Sequence, residues 1–99
     1  MAKYFLSNQA VKDLADIWLY TVEEWSEDQA DKYYQYLLDS CQEVADNPNL
    51  AKQYREVTDE LLGIRANRHL IFFRILSKSE IEVLRILHGM MDLKSKLKG

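Results

Sequence analysis

The spacing of the apolar residues changes about half-way along this chain, and that change limits the folds it can adopt. Between Ala10 and Ala45, apolar residues recur every three or four positions, which is the period of an amphipathic α-helix. From Leu61 onward they form short runs of Ile, Leu, Val and Phe separated by polar turns, which is typical of β-strands. The sequence therefore predicts a helical first half and a sheet-forming second half.

Capping and turn residues set the expected element boundaries. Ser7 and Ser26 are suitable N-caps for two helices. The second helix should end before Asn47, because Pro48 disfavours helical backbone there. Strands are expected over residues 3–7, 61–67, 69–76 and 80–88, with a polar connector over 50–60. We predict one α+β domain over residues 1–99, with two layers in the order β-α-α-β-β-β: an antiparallel helical hairpin packed on a small, mainly antiparallel sheet, and a short C-terminal helix or tail.

The last two strands allow a more detailed prediction. Strand 69–76 is largely apolar on both faces and should lie in the middle of the sheet. We expect Leu76 to lie opposite Glu80, which places Arg74 opposite Glu82 as a favourable cross-strand pair. The same alternation puts Arg74 and Arg85 on opposite faces of the sheet.

Composition excludes several classes of protein. Of 99 residues, 47% are hydrophobic and 29% are charged, which is ordinary for a globular chain and unlike a disordered one. One Cys and two His carry no metal-ligand spacing, and the three Gly form no phosphate loop, so we expect no metal and no cofactor. No apolar stretch is long enough to span a membrane and no signal peptide is evident, so a cytoplasmic protein with no membrane partner is expected.

The charge is divided unequally along the chain. Residues 1–60 contain 13 acidic and 5 basic residues, a balance of −8, and residues 61–99 contain 3 and 8, a balance of +5, which together give −3. The basic second half has two interpretations: its cations face an acidic partner, or they only support the sheet. Arg65, Arg74, Arg85 and His88 lie on its predicted strands. Arg guanidinium groups bind phosphates and His transfers protons, so one alternative is a metal-free ribonuclease that uses Arg65, Arg85 and His88. The other alternative is that Arg74 and Arg85 only form structural pairs within the fold.

The aromatic residues are separated from these cations. Nine of the eleven lie in residues 1–54, whereas nucleic-acid surfaces interleave aromatic and basic side chains. The apolar arc of the first helix is also wider than one packed face requires. These residues either form an exposed strip for a protein partner or shield the helical hairpin: Tyr20, Val22, Trp25, Tyr33 and Tyr36.

Several segments in order resemble the ParE branch of the ParE/RelE toxin superfamily over nearly the whole chain. Val83-Leu84-Arg85-Ile86-Leu87-His88-Gly89-Met90-Met91-Asp92 resembles the family's closing V-x-R-[IV]-L-H-x-x-M-D. The other matching segments are Asp13-Leu14-Ala15-Asp16-Ile17-Trp18, Trp25, Gln29-Ala30, Asn47-Pro48, Gly63-Ile64-Arg65 and His69-Leu70-Ile71-Phe72-Phe73-Arg74.

The resemblance implies a toxin of a type II toxin–antitoxin pair that inhibits DNA gyrase without catalytic residues of its own. It implies a hetero-oligomer with a ParD-like ribbon-helix-helix antitoxin, through which alone the toxin reaches operator DNA. With the apolar arc, it predicts antitoxin binding by Val11, Trp18, Val22, Trp25, Tyr33 and Tyr36. It predicts target binding by Arg65, Arg74, Arg85, His88, Met91 and Asp92. The alternative is the related branch of ribosome-dependent mRNA interferases, against which the lack of any Tyr after Tyr54 and the acidic balance argue.

Overall fold

A computed structural model describes residues 2–89 and residue 97 of the chain. In chain order the elements are β1 (Lys3–Leu6), α1 (Asn8–Glu24), α2 (Glu27–Asp46), a 3-10 helix (Pro48–Leu50), β2 (Lys52–Gln53), β3 (Leu62–Ala66), β4 (His69–Ser77) and β5 (Glu80–His88). The five strands form one sheet in the order β1-β5-β4-β3-β2. β1 is parallel to β5 and the other neighbours are antiparallel, which confirms the predicted α+β fold and the central position of β4.

Ser7 joins the first helix to the sheet. Its hydroxyl oxygen accepts the amide of Ala10 at 3.0 Å and so caps α1, as predicted. The same hydroxyl donates to the carbonyl oxygen of Leu84 at 2.8 Å, and the Ser7 amide donates to the carbonyl of Val83 at 3.0 Å. Ser26 caps α2 through the amide of Gln29. The N-terminus of α1 is therefore held against β5 just where β1 ends.

Apolar side chains cover both faces of the sheet. The helical face is closed by a cluster of α1, α2 and sheet residues: Ala10, Leu14, Leu37, Cys41, Val44, Ala45, Ala66, Ile71, Phe73, Ile81, Val83 and Ile86. The opposite face has a smaller cluster of Leu61, Leu70, Phe72 and Leu87, with Tyr54, Val57, Leu84 and Leu97 against it. A Cβ on Gly63 would lie 2.7 Å from the Tyr54 ring, so glycine is what allows this ring to close onto the sheet. The predicted C-terminal tail lies outside the described residues, Leu97 excepted.

Two features of the fold differ from the sequence prediction. The segment expected to be only a connector contains β2, which pairs with Leu62 and Gly63 at the sheet edge. Its two residues are too few and too polar to show a strand period. In the last hairpin, Ser77 and not Leu76 lies opposite Glu80, because the register shifts after Ile75 and leaves Leu76 as the extra residue of a bulge.

A second bulge changes the strand partner of Arg85. Arg74 lies opposite Glu82 as predicted, but Leu84 is an extra residue in β5. Arg85 consequently pairs with Phe72, which lies on the same side of β4 as Arg74. The register predicted for Arg85 is therefore wrong by one residue, since simple alternation does not hold across a bulge.

Candidate functional site

Arg85 is held at the junction of helix and sheet by Asp13 of α1. Its Nε donates to Oδ2 of Asp13 at 2.9 Å and its Nη2 donates to Oδ1 at 3.1 Å. Oδ2 also accepts the backbone amide of Ile86 at 2.9 Å, so one carboxylate closes the part of the β5 edge that β1 does not reach. The hydrogen bond to Asp13 is the main cause that raises the pKa of Arg85. This geometry gives Arg85 a structural role in linking α1 to β5.

The other predicted target-binding arginines, Arg74 and Arg65, have partners of their own. Arg74 forms an exposed ion pair with Glu82 at 2.8 Å, as expected from the register. Arg65 donates to the carbonyl oxygen of Asn67 at 3.3 Å, and its guanidinium lies against Gly89, where a Cβ would approach it to 3.1 Å. Arg65 pairs with Leu70, four residues along β4 from Arg74, a separation of about 13 Å.

Met91 and Asp92, the remaining predicted target-binding residues, lie outside the described residues. The assignment of all six residues to target binding stays a prediction.

Two histidines and a tyrosine form a cluster at the opposite end of the sheet from the β4–β5 turn. His69 pairs with His88 across the strands, with ring centroids 5.4 Å apart, and the Tyr33 hydroxyl lies 2.6 Å from Nδ1 of His69. Burial, and secondly the neighbouring His88, lowers the pKa of His69 to about 4. Burial also raises the pKa of Tyr33, so the phenol keeps its proton and can donate it to Nδ1. Neutral His69 then carries its own proton on Nε2.

No role was predicted for His69 from the sequence, although one signal for it is present there. His69 and His88 stand at the start and end of two predicted adjacent strands, so pairing these strands brings the rings together. The contribution of Tyr33, 36 residues away along the chain, has no local signal.

This cluster forms one side of a groove of about 680 Å³ between α1, the start of α2 and the β3–β4 turn. The groove is lined by Asp16, Ile17, Tyr20, Thr21, Trp25, Gln29, Tyr33, Asn67, Arg68, His69 and His88. Tyr20 is 64% exposed and Trp25 is 71% exposed, which is unusual for side chains this large. The groove is thus an open site with aromatic and polar walls, the kind of surface that receives a ligand or a partner segment.

The groove divides the predicted antitoxin-binding set. Trp25 and Tyr33 line it, and Tyr36 stacks on Tyr33 with centroids 5.7 Å apart. Val11, Trp18 and Val22 are not among its lining residues. The indole nitrogen of Trp18 instead donates to the Asp31 carboxylate of α2 at 2.9 Å, which ties the two helices together.

A smaller groove of about 290 Å³ bears on the ribonuclease alternative. It is lined by Gln9, Lys12, Asp13, Asp16, Ile17, His69, Arg85, Ile86, Leu87 and His88. Arg85 and His88 therefore share this groove, whereas Arg65 lines neither groove. The three residues proposed for ribonuclease chemistry are brought together only in part.

The surroundings of Cys41 and the grouping of possible metal ligands can be described for residues 2–89 and 97. Burial raises the pKa of Cys41 to about 12, so this core residue stays a thiol at neutral pH. Within residues 2–89 and 97, no three His, Cys, Asp or Glu side chains converge as metal ligands. In the same residues, no helix is both long and apolar enough to cross a membrane.

Comparisons with known proteins agree with this fold. Residues 4–93 match the family described as "ParE toxin of type II toxin-antitoxin system, parDE". Toxin ParE1 of Mycobacterium tuberculosis is 31% identical over 96 residues, which cover 97% of this chain and 98% of that protein. Toxin ParE1 of Caulobacter vibrioides is 28% identical over 97 residues, which cover 98% of this chain and 99% of that protein.

Solved structures with the same fold are more distant in sequence. A chain of the chromosomal ParDE TA system from P. aeruginosa aligns with a TM-score of 0.74 and 19% identity, covering 89% of this chain and 96% of that chain. A chain of the toxin–antitoxin complex RelBE2 from Mycobacterium tuberculosis aligns with a TM-score of 0.68 and 13% identity, covering 88% and 96%. These structures show the fold, and the match over residues 4–93 together with the 31% identity to Toxin ParE1 shows that the chain belongs to the ParE toxin family of type II toxin–antitoxin systems.

Proposed function

We propose that this ParE-family toxin inhibits DNA gyrase in the cytoplasm, blocks replication, and is neutralised by a ParD-like ribbon-helix-helix antitoxin. In this proposal residues 1–99 act as one toxin domain, and operator DNA is reached only through the antitoxin. Gyrase and the ParD-like partner follow from the family resemblance. An antitoxin partner, without its type, is supported by the two structural neighbours, which come from toxin–antitoxin systems.

One observation carries the proposal that the toxin acts by contact and not by catalysis. The Asp13 carboxylate holds Arg85 through two hydrogen bonds and supports the adjoining β5 edge through the Ile86 amide. A guanidinium that stabilises a cleavage transition state must reach the reacting phosphate, and this one is engaged in joining α1 to the sheet. Arg74 and Arg65 also have partners within the fold, the Glu82 carboxylate and the carbonyl oxygen of Asn67.

The test begins in cells that lack any antitoxin. Induction of the chain should activate an SOS DNA-damage reporter and cause filamentation, because a poisoned gyrase leaves broken DNA. Purified toxin added to gyrase and supercoiled plasmid should then trap cleaved DNA. Growth arrest with a silent SOS reporter and no trapped DNA would contradict gyrase as the target.

A ribosome-dependent mRNA interferase is the second candidate, because Arg85 and His88 line one groove together with Lys12. A His next to two cations could transfer a proton during RNA cleavage. Incubation of toxin with ribosomes and messenger RNA separates the candidates. Site-specific cleavage that is lost in the His88→Ala variant would establish the interferase and contradict the gyrase proposal. Intact messenger RNA would support the gyrase proposal.

A further inference from the structure

The groove between α1, α2 and the β3–β4 turn combines apolar surface with exposed aromatic rings. Ile17 contributes apolar surface to it, and Tyr20 and Trp25 stand at its rim with most of their area exposed. Large apolar side chains grouped around one concavity usually mark a site that a partner covers. The exposed apolar area does not identify the partner. The charges around the groove indicate which kind of partner would bind there.

The helical layer that carries this rim is strongly acidic. The spans of α1 and α2 contain ten acidic and two basic residues, a balance of −8. Asp13 is engaged with Arg85, but Asp16 lines the groove and, within the described residues, has no ion-pair partner. Asp16 lies one helical turn before Tyr20, so a carboxylate and an aromatic ring occupy the same wall. A Lys or Arg side chain can form an ion pair with the Asp16 carboxylate and lie on the face of the Tyr20 ring.

The opposite wall of the groove carries a positive charge, but this charge does not reverse the preference for a basic partner. Arg68 is its cation, while His69 is neutral because burial lowers its pKa to about 4. Arg68 can receive a carbonyl or carboxylate oxygen of the same partner. A nucleic acid or a strongly acidic peptide would have to approach the acidic helices, which is unfavourable.

We propose that this groove binds a basic amphipathic segment of the antitoxin, with an aliphatic side chain over Ile17 and a Lys or Arg between Asp16 and the rings of Tyr20 and Trp25. This inference rests on the proposed function, since it describes the antitoxin's docking segment. To that function it adds the sign of the segment's charge and the groove residues that bind the charged side chain.

The test uses purified full-chain toxin and two synthetic helical peptides with the same Leu face, one with Lys and one with Glu on the polar face. Binding is followed by calorimetry at low and physiological salt. The Lys peptide should bind at least about 10-fold more tightly, and its affinity should fall as salt rises. Equal binding, or tighter binding of the Glu peptide, would overturn the inference.

A matched pair of charge reversals locates the site. Asp16→Lys and Glu43→Lys change the net charge equally, and Glu43 is an exposed α2 residue that does not line the groove. Asp16→Lys should weaken the Lys peptide about 10-fold, and Glu43→Lys less than about 3-fold. Equal losses would mean that only net charge matters and would refute the groove. Tyr20→Ala gives a neutral second variant, expected to lose about 3- to 10-fold, and circular dichroism confirms that each variant is folded.

Cell assays keep this inference separate from the gyrase proposal. If Asp16→Lys still activates the SOS reporter but is no longer neutralised by co-expressed antitoxin, both proposals are supported. If the wild-type toxin gives no SOS response, the gyrase proposal fails while the peptide measurements still decide the groove. If antitoxin neutralises Asp16→Lys as well as wild type, the groove proposal fails and the gyrase proposal stands.

Discussion

Replacement of Asp13 by Ala should destabilise the fold far more than removal of a surface carboxylate. Asp13 is 9% exposed and accepts three hydrogen bonds, two from the Arg85 guanidinium and one from the Ile86 amide. Removing one partner of a buried ion pair costs about 3–5 kcal/mol, and an orphaned amide adds about 1–3 kcal/mol. The Arg85 side chain is 24% exposed, so water can recover part of this loss. We expect the free energy of unfolding to fall by about 3 kcal/mol.

The Arg74–Glu82 pair provides a control within the same molecule. Its ion-pair distance is 2.8 Å against 2.9 Å for Arg85–Asp13, but its side chains are 46% and 27% exposed. An exposed pair of this kind contributes about 0–1 kcal/mol, so Glu82→Ala should have a small effect. The comparison separates ion pairing itself from burial at the junction of helix and sheet.

Urea denaturation followed by circular dichroism measures both variants. The urea midpoint of Asp13→Ala should fall with an unchanged m-value, since a small domain with about 5–15 kcal/mol of stability remains folded after this loss. Arg85→Ala and the double variant with Asp13→Ala complete a mutant cycle, in which the double variant should lose clearly less than the sum of the two. If Asp13→Ala and Glu82→Ala differ by less than about 1 kcal/mol, Asp13 does not join α1 to β5 as argued.

Three further outcomes are expected. Ser7→Ala should lower the free energy of unfolding by about 2 kcal/mol and Ser26→Ala by about 1 kcal/mol in urea titrations, because Ser7 both caps α1 and donates to the sheet; equal losses would contradict that second role. Cys41 should not react with a thiol reagent in the native protein and should react after unfolding, because burial raises its pKa to about 12; fast native labelling would contradict this. Burial lowers the pKa of His69 from 6.5 to about 4, so on acidification the unfolded chain is protonated at His69 before the folded one. The stability that neutral His69 contributes is therefore complete above about pH 6.5 and is lost as the pH falls toward 4. Solvent screening limits the loss to about 1–2 kcal/mol, and the pH dependence of urea midpoints should be flatter in His69→Gln than in wild type.

Local chemistry accounts for the parts of the fold that the sequence predicted well. Ser7 and Ser26 cap the helices, α2 ends before Asn47, and β5 covers the predicted residues 80–88. Each of these features depends on residues close together in the chain: a hydroxyl near free amides, a proline ring, or a run of β-branched and apolar side chains. The pairing of Arg74 with Glu82 was also predicted, but from a turn that differs: Ser77 pairs with Glu80, and the bulge at Leu76 then brings Arg74 opposite Glu82.

The two bulges show where this local reasoning ends. Each inserts one residue, Leu76 or Leu84, and shifts the register beyond it. The carbonyl groups of Val83 and Leu84 accept hydrogen bonds from Ser7, 76 and 77 residues away in the numbering, so the second bulge is coupled to where α1 begins. A pattern with a period of two cannot contain that information.

The sequence by itself determined the element types, most of their boundaries and the division into acidic helices and a basic sheet, because these depend on near neighbours and on composition. Only the tertiary structure decided which side chains meet. Asp13 and Arg85 lie 72 residues apart, and Tyr33 and His69 lie 36 apart. Their contacts depend on the position of α1 along the open part of the β5 edge and on the packing of α2 over the start of β4. Those positions result from the packing of the whole core, and they engage Arg85 with a carboxylate while leaving Tyr20 and Trp25 exposed around a groove.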